Sequence, residues 1–188
     1  MKKGSKILLG VLLAAVLIAF PLVSSYNGLV EEENKVETSW SQVETVLQRR
    51  NDLIPNLVNS VKGAMNQEKE VFGSIADARA RLNSAGTQEQ QVEANNEMDS
   101  ALSRLLVVME NYPELRSNDQ VTALMDELAG TENRISVGRQ RYNETVEQYN
   151  NRVRRFPGNL MAGLFGFEKK PFFKAVEGAE NAPNVNFD

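Results

Sequence analysis

The chain has no cysteine and no histidine. The first absence rules out disulfide staples, thiolate chemistry and a lipidated cysteine behind a leader. The second removes the commonest general base together with the commonest zinc ligand. Aromatic residues make up only 7% of the chain, and prolines and glycines are sparse. No phosphate-cradling glycine loop, Walker pattern or serine-centred elbow occurs. A di-metal carboxylate site in a helical bundle normally uses a Glu-x-x-His pair, which this chain cannot supply. Carboxylate-only acid–base work would need a pair of acids marked out by spacing, and none is. The residues therefore point to a protein that is not an enzyme and needs neither cofactor nor metal.

What is present is helical periodicity. Glu, Gln, Arg, Leu, Val, Ala and Asn dominate the middle of the chain without strand-like alternation, which predicts an all-α fold. The stretch 40–61, WSQVETVLQRRNDLIPNLVNSV, organises the rest. Trp40, Val43, Leu47, Ile54, Leu57 and Val61 fall on one seam, and the seam position between Leu47 and Ile54 is a charge, Arg50. Followed by sevens, one row reads Glu33, Trp40, Leu47, Ile54, Val61, Glu68, Ile75, Leu82. The interleaved row reads Leu29, Val36, Val43, Arg50, Leu57, Ala64, Val71, Ala78. A repeat of seven specifies a left-handed bundle or coiled coil.

This pattern predicts one long helix over 27–82. Pro55 removes a backbone hydrogen bond and crowds the carbonyl of Asn51, so a kink is expected there. A reversal at Asn51-Asp52 is the alternative, but the heptad phase is kept across Pro55 and no glycine offers a turn at that point. Asn83-Ser84-Ala85-Gly86 reads as a helix stop. Thr87 with Gln90 forms a capping box for a second helix ending near Tyr112, with Met98, Leu102, Leu105, Met109 and Tyr112 on its apolar face. Pro113 ends it, and Ser117 with Gln120 reads as a further capping box. A third helix over 118–155 carries the row Val121, Leu128, Ile135, Tyr142, Tyr149, Phe156. Its partner row weakens after Leu124 to Thr131 and Gly138. The segment 156–159 breaks this helix, and Leu160 to Phe167 could form a short amphipathic turn.

The N-terminus carries a different signal. Lys2, Lys3 and Lys6 precede an uncharged apolar run over 7–23. About 17 helical residues span roughly 25 Å, just enough for a hydrocarbon core. A cleaved signal peptide would share this layout, with Val23-Ser24-Ser25 as its cleavage site. The run is long for that, and the apolar seam resumes at Leu29, so a retained single-pass anchor is preferred. Lysines before the run and Glu31-Glu32-Glu33 after it put the N-terminus in the cytoplasm. The expected division is an anchor over 1–25, a helical bundle of three to four long antiparallel helices over 26–156, and a short amphipathic segment with a mobile tail over 157–188. The expected location is the bacterial inner membrane, with the body outside the cytoplasm.

The net charge is −4. Setting Lys2, Lys3 and Lys6 aside from the 21 basic residues leaves 18 against 25 acids, a net of −7. Residues 134–174 are locally basic, with nine basic residues and three acids. An acidic body argues against nucleic acid as a partner, while the basic end can touch something anionic. Solvated faces of amphipathic helices are the plainer account of these charges.

An apolar seam in water needs a partner. The second helix is too short to cover the membrane-proximal half of the first. That half is expected to pair with another copy of the chain or with the Phe-rich C-terminal segment folding back. A homo-oligomer, and a membrane protein partner, are the expected associations.

Several segments together resemble the LemA family: Tyr26-Asn27-Gly28-Leu29-Val30, Trp40-Ser41-Gln42-Val43, and Arg49-Arg50-Asn51-Asp52-Leu53-Ile54-Pro55-Asn56-Leu57-Val58. Further along are Ala78-Arg79, Tyr112-Pro113-Glu114-Leu115, Arg141-Tyr142-Asn143, Tyr149-Asn150 and Phe156-Pro157. The resemblance covers nearly the whole chain in order. It implies a membrane-anchored, mostly extracytoplasmic helical bundle in bacteria. It implies no reaction. Neighbourhood with TPM-domain proteins or membrane metallopeptidases implies an accessory or scaffolding role, and an extracytoplasmic ligand sensor is the alternative.

Trp40, Arg49, Arg50, Asp52, Pro55, Asn56, Glu68, Arg79, Tyr142 and Tyr149 are the residues to watch, as structural or interaction candidates. Charges on a seam are costly unless paired, and when kept they fix register or partner choice. Arg50 or Arg79 is therefore expected to pair with an acid from another helix. The tyrosines stand on a heptad seam, where packing explains them. Asn143-Glu144-Thr145 fits a glycosylation acceptor, but lies mid-helix.

Overall fold

The computed structural model describes residues 3–173. Among them six helices occur and no strand: α1 (Lys3–Val61), α2 (Lys69–Ser84), α3 (Gln88–Met109), α4 (Pro113–Arg116), α5 (Asp119–Arg154) and α6 (Gly158–Phe165). The expected mobile tail beyond 173 lies outside the described residues. The packing divides the chain into two compact units. One holds the chain to Gln42 together with Gln140–Phe172, and the other holds Val43–Arg139 with Phe173. The helices α1 and α5 run through both.

In the first unit, the N-terminal part of α1 is apolar enough, by length and composition, to cross a membrane. Leu8, Leu12, Val16 and Phe20 on it are exposed. From Leu29 onward the same helix packs on α5 in antiparallel sense. Arg152 donates to the Gly28 carbonyl at 3.2 Å, and about three turns further along α1 Ser39 Oγ lies 2.8 Å from Thr145 Oγ1. Leu29, Val36 and Trp40 are buried, as are Tyr142, Val146 and Tyr149. Burying each such side chain is worth about 1.5–3 kcal/mol.

The C-terminal segment also folds back here. The Asn150 side chain donates to the Lys170 carbonyl and accepts from its N–H, both at 2.9 Å. Tyr142 donates to the Pro171 carbonyl at 2.9 Å, and Lys170 pairs with Glu33 at 2.9 Å. The fold-back expected for the membrane-proximal seam is thus present. The larger cover comes from the C-terminal part of α5.

In the second unit, α1 continues unbroken through Pro55 to Val61, so no reversal occurs at Asn51-Asp52. The helix expected to run to Leu82 nevertheless stops at Val61. Residues 62–68 form an irregular turn in which Asn66 donates to the Gly63 carbonyl at 3.0 Å and Met65 is fully buried. Gly63 weakens the helix at this point, and Met65 plugs the core end. A separate helix, α2, then carries Ile75 and Ala78 into the same core as Ile54, Leu57, Met98, Leu105 and Leu128.

Thr87 caps α3 as expected, accepting from Gln90 N–H at 3.2 Å. The Gln90 side chain reaches back to the N–H of Gly86 at 2.8 Å, one residue earlier than a capping box requires. For α5 the cap is Asn118, whose side-chain oxygen accepts from Gln120 at 3.0 Å and Val121 at 3.2 Å. The Ser117 box is therefore corrected by one residue. Asn presents its acceptor to the N2 and N3 donors as well as Ser does.

On α5, Val121, Leu128, Ile135, Tyr142 and Tyr149 are buried, whereas Phe156 falls past the helix end and is 78% exposed. The apparent weakening of the second row has a physical reason. Thr131 is buried and donates to the Glu127 carbonyl at 2.8 Å. At Gly138 an added Cβ would stand 3.2 Å from Val43 Cγ2. Small residues there let α5 approach α1 closely.

Candidate functional site

The second unit has a charge cluster at its centre. Arg50 is 1% exposed, among the most deeply buried side chains described. Its guanidinium donates to Asp99 in a short contact, to Glu132 at 3.2 Å and to Asn95 Oδ1 at 2.6 Å. The amide of Asn95 donates to the Gln91 carbonyl at 2.8 Å, which turns its oxygen toward Arg50. The second oxygen of Asp99 accepts from Arg139 at 2.7 Å, and the Arg139 guanidinium lies 4.9 Å from the centre of the Phe173 ring. Two cations and two carboxylates thus meet with no net charge, and they tie α1, α3 and α5 together.

This arrangement is built for holding. A general base needs a carboxylate free to take a proton, and both Asp99 oxygens already accept from arginines. The expectation that Arg50 pairs with an acid on another helix is met by Asp99 on α3 and Glu132 on α5. Arg79 is exposed on α2, and the pair made across α2 and α3 is Arg81 with Glu97 instead.

The other sequence candidates scatter around this core. Arg49 pairs with Glu127 at 2.7 Å on the exposed side, a contact worth at most about 1 kcal/mol. Asp52 accepts from Gln48 at 3.0 Å, and Asn56 is exposed one turn on. Pro55 is half-buried. Glu68 accepts from the Tyr112 hydroxyl at 3.0 Å, and that bond raises the Tyr112 phenol above its ordinary value.

Asn95, Asp99, Glu132 and Arg139 were not singled out by sequence. A signal existed: Asn95 and Asp99 stand four apart, and Glu132 and Arg139 seven apart, so each pair shares a helix face.

The first unit carries the aromatic candidates. Trp40 and Tyr142 meet edge to face with ring centres 5.3 Å apart. Tyr149 is fully buried, and its hydroxyl has no hydrogen-bond partner among the described residues. Burial pushes this phenol up to about 12, with Glu33 and Glu168 adding to the shift.

An ordinary tyrosine ionises near 10. Between pH 10 and 12 the folded protein therefore keeps a proton that the unfolded chain releases. Stability from this group is full below pH 10 and is lost as pH rises through 12. A spectrophotometric titration should show a late component, near pH 12 or together with unfolding, to which Tyr149 contributes. Tyr149→Phe should reduce that component by one tyrosine and leave stability at neutral pH nearly unchanged, since no hydrogen bond is lost. A late component of unchanged size in Tyr149→Phe would contradict the burial of Tyr149.

Also in the first unit, a cavity of about 770 Å³ is lined by Phe20, Ser24, Glu32, Arg152, Arg155 and Phe156, among others.

The LemA family profile matches residues 39–187 of this chain. Similar curated proteins include Magnetosome protein MamQ 2 of Paramagnetospirillum magneticum, 26% identical over 188 residues, covering 86% of this chain and 69% of that protein. Magnetosome protein MamQ of Magnetospirillum gryphiswaldense is 25% identical over 185 residues, covering 84% and 68%. Protein LemA of Metamycoplasma hominis is 23% identical over 159 residues, covering 84% and 73%.

Proposed function

This chain belongs to the LemA family, and from that premise we propose that it is a non-catalytic scaffold. In this reading it is anchored by one pass in the bacterial inner membrane, with its body outside the cytoplasm, and it works by self-association. The observation that carries the proposal is the Arg50 cluster. The most deeply buried charge among the described residues, Arg50, is committed to Asn95, Asp99 and Glu132 of its own chain. Charge used in this way fixes how helices pack, as a scaffold requires.

The contact face we propose lies on α3. Val107 is 65% exposed there, and neighbouring Leu106 is exposed too. Leu106 also lines a largely apolar cavity of about 370 Å³ with Met109, Leu115, Val121 and Met125. Exposed apolar surface around a groove fits association with a second copy. The native mass of the detergent-solubilised full chain tests this. A multiple of the 21.0 kDa chain is expected, with Val107→Glu reduced to monomer at unchanged helix content. A wild-type monomer would end the self-association reading. A monomer that co-purifies with a different membrane protein would favour the accessory-subunit alternative.

A further inference from the structure

We propose that α6, with the preceding Phe156, is a second membrane-embedded element. On this proposal it lies in the lipid interface beside the anchor and presents Arg152 and Arg155 to a phospholipid phosphate. The inference rests on the reading of α1 as a membrane span, and it adds a lipid site that this reading does not contain.

The eight residues of α6, GNLMAGLF, carry no charge. Met161 and Ala162 are buried against the protein, while Leu160, Leu164 and Phe165 stand exposed, Leu164 at 73%. Such a surface in water would be a liability, and its position says what covers it. At one end of α6, Phe165 packs on Tyr26 with ring centres 4.7 Å apart, and Phe167 follows at 5.7 Å. At the other end, Phe156 and Gly158 line the same cavity as Phe20 and Pro21. Phe20 is itself exposed and belongs to the apolar run of the anchor. The six residues from Phe20 to Tyr26 rise about 9 Å along α1. The exposed side of α6 therefore spans the depth at which an interfacial helix buries its apolar face. Phe156 sits at the lipid end of that interval.

The attachment is close. A Cβ added at Gly158 would fall 2.2 Å from the Arg152 carbonyl oxygen and 3.7 Å from Ser25 Oγ. This close backbone approach holds the start of α6 against the end of α5, with Ser25 of α1 alongside. The charges complete the match. The cavity between Phe20 and Phe156 carries Arg152 and Arg155 against one acid, Glu32, which pairs with Arg152 at 3.5 Å, so its lining keeps a net positive charge. Long arginine side chains at the end of a span hold their charge at headgroup level while their stems lie along apolar surface. A phosphodiester is the anion found at that level, and guanidinium groups suit it by geometry. A second copy of the chain would also cover apolar residues, but it would have to share the space with the lipid around Phe20.

The absence of native cysteine makes the test direct. Single variants Leu12→Cys in the anchor, Leu164→Cys on α6 and Val137→Cys on α5 are labelled with an environment-sensitive dye. The full chain is then reconstituted in vesicles of phosphatidylethanolamine and phosphatidylglycerol. The dyes at positions 12 and 164 should be quenched by nitroxide lipids and shielded from aqueous iodide, while the dye at 137 shows the reverse. A dye at 164 that behaves like the one at 137, with 12 in lipid, overturns the inference and leaves the anchor standing. If 12 also reports water, the anchor reading fails and takes the inference with it. For the headgroup, native mass spectrometry counts phospholipid retained through detergent. Arg155→Gln should retain about fivefold less, the equivalent of one interfacial charge. Equal retention would refute the phosphate site.

Discussion

Replacing Arg50 with alanine is expected to cost about 3–5 kcal/mol of folding stability, the usual effect of removing one partner from a buried ion pair. The loss comes less from the contacts than from what they leave behind. Asn95 Oδ1 would face the interior without a donor, and Glu132 would lose its buried cation. Asp99 would keep Arg139 alone. Thermal or urea unfolding of the full chain in micelles, followed by far-UV circular dichroism, reads the effect. Arg50→Met fills a similar volume but leaves the same orphaned acceptors, so it should recover only the packing part. Adding Asp99→Asn to Arg50→Ala should cost less than the sum of the two single changes, because the second change removes a charge the first stranded. Additive costs would mean that the cluster is a set of independent surface pairs.

The cluster also shows how far a single sequence reaches. The seam residues Trp40, Val43, Leu47, Ile54, Leu57 and Val61 are all buried, and periodicity alone placed them. The same periodicity marked Arg50 as the seam position needing an explanation. It could not say which of 25 acids would answer. That choice depends on how α3 and α5 are set against α1, which is tertiary information. The expected long helix failed for a related reason. Heptad phase survives from Val61 to Ile75, yet phase records only which face is apolar and is blind to a break that returns to the same phase. Gly63 is the local signal of the break that follows Val61. Gly138 misled in the opposite direction: a gap in the apolar row is a close approach between α5 and α1. Location is legible only in part, since an apolar span is plain in the sequence while its orientation depends on a bias in a few charges.

Trp40→Ala in the first unit should destabilise by a comparable amount, about 3–5 kcal/mol, the range for truncating a large buried aromatic. Trp40 is buried where the part of α1 beyond its apolar run meets α5, edge to face with Tyr142. Tyr142 in turn donates to the Pro171 carbonyl, so the ring pair also supports the returning C-terminal segment. Truncation should therefore loosen that segment before the helices separate. Hydrogen exchange near 170–173 should rise in Trp40→Ala at temperatures where circular dichroism is unchanged. Tyr142→Phe keeps the ring contact and removes only the hydroxyl, so it should cost about 1 kcal/mol, a typical hydrogen bond. The coupling between Trp40→Ala and Tyr142→Ala should be about 0.5–1.5 kcal/mol, the range for aromatic pairs beyond their burial. Trp40 is the chain's single tryptophan, so its emission reports the wild-type site without interference. Blue-shifted emission protected from iodide is expected in the folded protein. Emission typical of water in lipid-reconstituted protein would mean that the seam has no cover at this level, and the antiparallel packing of α1 on α5 in this unit would have to be abandoned.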